Sequence, residues 1–208
     1  MQSAILIKAI TERREKMAFD TSAFEAACRR IDEMRRERET LLVAIDGRCG
    51  SGKTTLGTML AEKYGCTLLH MDDFYLRAEQ RTAERLATPG GNVDHERFIE
   101  EVLTPLTERR DFLLRPFDHS TFQPGDGRLI HPTPLVIIEG SYSCNKHLRN
   151  FYDLRIFLTT GLETQLERIT QRSSKEKAQE FADRWIPLEE RYFSTLDTEH
   201  IFELRYKT

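Results

Sequence analysis

From residue 41 onward, short unbroken apolar runs alternate with stretches in which apolar residues recur every three or four positions. Residues 41–46 form one such run closing on Asp46, the pattern of a strand buried on both faces. Leu56, Met59, Leu60 and Tyr64 share one side of a predicted helix over 54–64, with Gly65 placed as its C-terminal cap. Residues 66–71 read as the next strand, 135–138 as a third and 154–158 as a fourth. Strand, helix and strand in succession imply parallel βαβ units, so the expected class is α/β with a mainly parallel sheet.

Other segments take their places around that frame. Residues 1–40 read as a helical N-terminal extension in two segments, marked by Ile5, Ile7 and Ile10 and then by Phe24, Cys28, Ile31 and Met34. Asp20, Thr21 and Ser22 supply capping groups between them. The extension packs on the sheet or on another subunit, so a homo-oligomer is one expected partner state. Residues 76–92 are polar, end in Thr88-Pro89-Gly90-Gly91-Asn92, and read as an active-site segment. Helical spacing resumes at Asp94 or His95 and continues through Phe98, Val102 and Leu106. Residues 112–118 and 128–131 flank Pro124-Gly125-Asp126-Gly127 and predict a small hairpin. A helix over 163–172, another over 175–195 that holds Trp185, and a last strand at 201–204 complete the expected elements.

The break between the first strand and the first helix carries the chemistry. It reads Gly47-x-x-x-x-Gly52-Lys53-Thr54, a phosphate-binding loop in the strand-to-helix setting that such a loop requires. Glycines let the backbone curl until several N–H groups converge on one anion. Lys53 then reaches the β- and γ-phosphates, Thr54 offers its hydroxyl to Mg²⁺, and the helix directs its positive dipole end at the same phosphates. The expected nucleotide-binding set is Gly47, Cys49, Gly50, Ser51, Gly52, Lys53, Thr54 and Thr55, with ATP and Mg²⁺ as cofactors.

Composition narrows the class without changing it. A chain of 208 residues with 39% hydrophobic content buries one core, divided here into the extension over 1–40 and a catalytic domain over 41–208. The formal charge of −3 offers no basic field for nucleic acid. No apolar stretch approaches a membrane span, and the expectation is a cytoplasmic protein. Cys28, Cys49, Cys66 and Cys144 lack zinc-site spacing and read as reduced thiols. Cys49 sits inside the loop, where converging amides and Lys53 would lower a thiol's pKa; the plainer reading is a small residue tolerated there.

In a parallel sheet, ligands bind beyond the carboxyl ends of the strands, and three of the predicted strands end in polar groups at that edge. Phosphoryl transfer needs a metal, a group that orients or deprotonates the attacking hydroxyl, and cations that neutralise charge as it spreads. Asp72, the first acid after the second strand, is the expected base; the alternative is that it or Asp73 caps a turn. Glu139, leaving the core after four apolar residues, is the expected Mg²⁺ ligand or its support, with an ordinary buried ion pair as its rival. Arg168 and Arg172 share a helix face and clamp the transferring group, or else pair with Glu163 and Glu167 on the surface.

With these residues placed, 41–205 resembles the uridine kinase and phosphoribulokinase group of P-loop kinases, which implies their three-layer fold with a hairpin and lid insertion. Asp72-Asp73-Phe74-Tyr75 is similar to the family's Asp-Ser-Phe-Tyr, whose first Asp is the catalytic base. Asn92-Val93-Asp94-His95 is similar to Asn-Phe-Asp-His, which implies that Asp94 grips acceptor hydroxyls; read alone, Asp94 is an N-cap, and the two roles are compatible. Arg115-Pro116-Phe117-Asp118 resembles the hairpin that covers the nucleoside, placing Tyr75 and Phe117 at the substrate, and Arg168 with Arg172 resembles the arginine-rich lid. The chain departs from the pattern at Phe117, where the family has Tyr, near Phe122, where a base-reading His is replaced, and at Ile169 in the lid. The resemblance therefore implies an ATP-dependent kinase of a small hydroxyl compound, nucleoside or sugar-like, with uridine one candidate. The rival from another class is a nucleotide-sensing P-loop protein without an acceptor.

Overall fold

The computed structural model describes residues 21–208; the first helical segment expected in the N-terminal extension lies outside them. Five strands form one fully parallel sheet: β1 (Leu41–Gly47), β2 (Thr67–His70), β3 (Leu135–Glu139), β4 (Leu154–Thr159) and β5 (Leu204–Lys207), in the order β2-β3-β1-β4-β5. Central β1 pairs with β3 through Val43↔Ile137 and with β4 through Ile45↔Ile156.

Alternation along the strands builds a core on each face of the sheet. Val43, Ile45, Ile137 and Ile156 point to one side and bury α1 (Thr21–Met34) and α2 (Lys53–Tyr64) through Ala27, Ile31, Leu56 and Leu60. Ala44, Val136, Ile138 and Phe157 point to the other, where Phe98, Leu103, Tyr192 and Phe193 cover them. Three layers result, as the α/β reading requires. The hairpin region resolves into two small antiparallel ladders, Phe112–Leu114 with Arg128–Ile130 and Phe117–Asp118 with Gln123–Pro124.

Two departures from the expected elements have local causes. The helical runs around 95–107 and 175–194 each contain a widened turn, Ile99–Leu103 and Phe181–Trp185, and each wide turn lies just ahead of a proline, Pro105 or Pro187. A proline nitrogen cannot donate to the carbonyl four residues back, so the bonding register slips by one residue there. The last strand begins at Leu204 instead of 201. Asp197 caps a short helix, Thr198–Ile201, by accepting from the His200 amide, and Phe202 is buried against Phe157 as the chain turns into the sheet.

Candidate active site

β1 delivers the chain to the phosphate loop at the carboxyl edge of the sheet. Gly47 adopts φ +143°, and a Cβ there would lie 1.9 Å from the Leu158 carbonyl oxygen, so only glycine permits β4 to run this close. Lys53, buried at the start of α2, donates from Nζ to the carbonyls of Gly47 (2.7 Å) and Arg48 (2.9 Å). The ammonium is thereby held over the loop it is expected to serve.

Thr54 and Glu139 meet beside the loop. Thr54 Oγ1 donates to the Glu139 carboxylate at 3.1 and 3.2 Å, and His70 Nδ1 lies 2.6 Å from Glu139 Oε1. That contact raises the His70 pKa above its ordinary value. Gly57 makes room for the arrangement, because a Cβ on α2 would press on the Glu139 side chain at 3.2 Å. Among the described residues no group of three or more His, Cys, Asp or Glu could hold a metal. Mg²⁺ does not need one: it keeps waters and phosphate oxygens for most of its shell, and the hard oxygens of Thr54 and Glu139 fit the remainder.

A cleft of about 1170 Å³ opens above the loop. Lys53, Thr54, Thr55 and Glu139 line one part of it and Asp72, Tyr75 and Phe117 another, while Arg168 and Arg172 reach it from α3 (Leu162–Arg172). Asp72 is exposed, and the Tyr75 hydroxyl donates to its Oδ1 at 2.9 Å. Burial, then Asp72, pushes the Tyr75 pKa well above its ordinary value, so the phenol keeps its proton and orients the carboxylate. Arg168 Nη1 donates to the Gly50 carbonyl at 2.9 Å, joining α3 to the loop.

At Asp94 and Cys49 the surroundings bear on the expected roles. Asp94 is fully buried and does not line the cleft: Oδ1 accepts from the Arg97 amide and Oδ2 from Arg77 Nε, both at 3.1 Å. With both oxygens engaged inside the fold it acts as the N-cap, and the neighbouring Asn92 lines the cleft in its place. The Cys49 thiol pKa is pushed up to about 12, by burial first and by Glu189 next, against the smaller opposing effect of Lys53. The loop thus protects this thiol instead of activating it.

Other residues at the site went unread in the sequence. Glu189, on α4 (Ile186–Ser194), is buried; its carboxylate accepts from the Cys49 amide at 2.8 Å and from Ser141 Oγ at 2.6 Å. Next to it, Glu190 makes a two-pronged pair with Arg48 at 2.5 and 2.8 Å. Gln165 donates to the Cys49 carbonyl at 2.9 Å. A readable signal existed for both: Glu189 falls on the apolar stripe between Ile186 and Tyr192, and Gln165 on the stripe with Ile169. A polar residue on a buried helix face must find a partner there. His119, whose ring centroid lies 5.1 Å from that of Phe117, also lines the cleft.

No protein-family model matches the chain. Over 155 residues it is 26% identical to a uridine-cytidine kinase-like 1 protein from Mus musculus, covering 70% of this chain and 28% of that protein. Over 151 residues it is 28% identical to a uridine kinase from Staphylococcus aureus, covering 67% of this chain and 72% of the relative. A solved structure of a possible uridine kinase from Bacillus stearothermophilus superimposes with a TM-score of 0.65 at 21% identity, over 89% of this chain and 97% of that one. The chain is similar to uridine kinases and has the fold of the P-loop kinases. The strand order and the meeting of the loop, Thr54 and Glu139 follow from that fold, and Tyr75, Phe117 and His119 line the other part of the cleft. The chain has no helix among its described residues long and apolar enough to cross a membrane.

Proposed function

We propose that this chain binds ATP with Mg²⁺ and transfers the γ-phosphoryl group to a hydroxyl of a small molecule. The observation that carries the reading is a single cleft in which Lys53 and Thr54 stand on the phosphate side and Asp72 on the acceptor side. A pure nucleotide sensor has no use for the second half.

The loop from Gly47 to Thr55 cradles the triphosphate with its amides, and Lys53 moves from the loop carbonyls to phosphate oxygens, supplying the positive charge that such oxygens recruit. Thr54 and Glu139 would hold Mg²⁺, whose positive charge would offset that of the phosphate oxygens. Asp72, steadied by Tyr75, accepts the hydroxyl proton as the acceptor oxygen bonds to the γ-phosphorus and the bond to the ADP oxygen breaks. Closure of the lid brings in Arg168 and Arg172, which neutralise charge on the transferring group, and excludes water that would otherwise take the phosphoryl group. Phe117 packs edge-on to Tyr75, with centroids 5.9 Å apart, and covers the acceptor. Asp94 acts here as a positioning residue that ties Arg77 to the start of the helix at 95–98. Uridine is one candidate, and His119 is the side chain that would face its base.

ADP formation measured with a panel of nucleosides, sugars and hydroxy acids tests the reading. Acceptor-dependent turnover is expected. Slow ADP release that no acceptor accelerates would establish the sensor instead.

A further inference from the structure

Beside the main cleft lies a smaller cavity of about 170 Å³, enclosed by residues 86–90 on one side and by the widened turn and α4 on the other. Arg81, Asn92, Tyr142, Arg184 and Trp185 belong to both spaces, so the cavity is a side branch of the acceptor end. Its lining holds three arginines, Arg81, Arg184 and Arg191, and no Asp or Glu. That is notable in a chain whose 34 acids outnumber its 31 Lys and Arg.

Among the described residues, none of the three arginines forms an ion pair with Asp or Glu. The Arg81 guanidinium lies over the Phe122 ring at 5.4 Å, that of Arg184 over Trp185 at 4.6 Å, and Arg191 Nη2 donates to the Ala87 carbonyl at 2.8 Å. Glu180 feels the charge of Arg184, but its carboxylate accepts from Lys177 Nζ at 2.7 Å and Trp185 Nε1 at 3.1 Å. Aromatic faces hold a guanidinium in place while leaving its N–H edge open, and that edge matches a carboxylate or phosphate two bonds at a time. Arg81 is half-buried and Arg184 and Arg191 are exposed, so their free N–H edges are open to an entering anion.

We infer that the acceptor carries an anionic group, a carboxylate or a phosphate monoester, which docks in this side cavity while the hydroxyl at its other end faces Asp72. The inference rests on the kinase reading of the main cleft and narrows its substrate to an acidic hydroxyl compound. A neutral nucleoside would leave the three cations unmatched.

Calorimetric titration of the protein loaded with Mg²⁺ and a non-hydrolysable ATP analogue tests this with two matched pairs of probes: ribose 5-phosphate against ribose, and glycerate against glycerol. In at least one pair the anionic member is expected to bind tenfold or more tightly than its neutral partner; which pair does so distinguishes phosphate from carboxylate. Arg81→Gln and Arg184→Gln should each remove most of that preference, while Arg36→Gln, at an exposed position after α1, controls for net charge and should keep it. No preference in either pair, or a preference that survives both cavity variants, overturns the inference. ADP formation separates the two readings. An anionic probe that binds through Arg81 but draws no phosphoryl group from ATP keeps the cavity and removes its role in a kinase. Neutral acceptors that turn over in preference to anionic ones keep the kinase and overturn the anion site.

Discussion

Asp46 closes β1 directly beneath the phosphate loop, fully buried, and its carboxylate accepts from the amides of Gly47 (2.7 Å), Tyr142 (3.1 Å) and Cys144 (2.9 Å) and from the Tyr192 hydroxyl (2.8 Å). Burial nevertheless outweighs these donors and Lys53, and raises its pKa from 3.8 to about 6. The folded chain therefore holds this proton more tightly than the unfolded chain does. The stabilisation is complete below pH 3.8 and is lost as pH rises through about 6. At 1.36 kcal/mol per pH unit the loss is on the order of 3 kcal/mol. Urea unfolding of the wild type and Asp46→Asn from pH 4 to pH 7.5 isolates it, because groups with the opposite trend, such as Glu96 with its pKa of about 2, are common to both proteins. The variant should be the less stable at every pH, since an amide offers one oxygen to four donors. The wild type's advantage should shrink as pH rises, by roughly 3 kcal/mol across the window. An advantage that stays flat or grows with pH would refute the idea that burial dominates this carboxylate.

Three further outcomes follow from the same geometry. Glu189→Ala strands the Cys49 amide and the Ser141 hydroxyl and should lower stability by about 1–3 kcal/mol in urea unfolding; a neutral result would mean that the contact contributes nothing. Because the Cys49 thiol pKa is pushed up to about 12, iodoacetamide at pH 8 should modify it far more slowly than a free cysteine, as read by mass spectrometry of the loop peptide. Faster labelling would restore the activated-thiol reading. Gly47→Ala drives a Cβ to 1.9 Å from the Leu158 oxygen at φ +143° and should cost more than about 3 kcal/mol in thermal unfolding or abolish soluble expression; a near-wild-type Tm would contradict the close approach of β4.

What the sequence made legible is what local pattern encodes. The run from Leu41 followed by the glycine spacing placed β1, the loop and α2, and the apolar runs before Asp72 and Glu139 put both acids at the carboxyl edge, where Thr54 meets Glu139 and Asp72 lines the same cleft. Contacts between distant segments carry no such signature. Glu189 reaches the Cys49 amide across 140 positions, and the side cavity joins Arg81 from one segment to Arg184 and Arg191 from another far along the chain. Asp94 shows a different limit. A resemblance assigns a role to a motif, but whether a carboxylate faces a cleft depends on neighbours such as Arg77 and Arg97, which engage both its oxygens. At Cys49 the loop's cations were visible in the sequence, whereas the burial and the facing Glu189 that outweigh them were not.

The central claim is that Asp72 accepts a proton from a hydroxyl aimed at a phosphate held by the loop. Its most direct measurement is the transfer of ³²P from γ-labelled ATP to a saturating acceptor by wild type and Asp72→Asn, alongside the affinity of each for ATP. Loss of a general base should lower transfer at least a hundredfold or so while ATP binding stays nearly unchanged. Undiminished transfer in the variant would contradict the account.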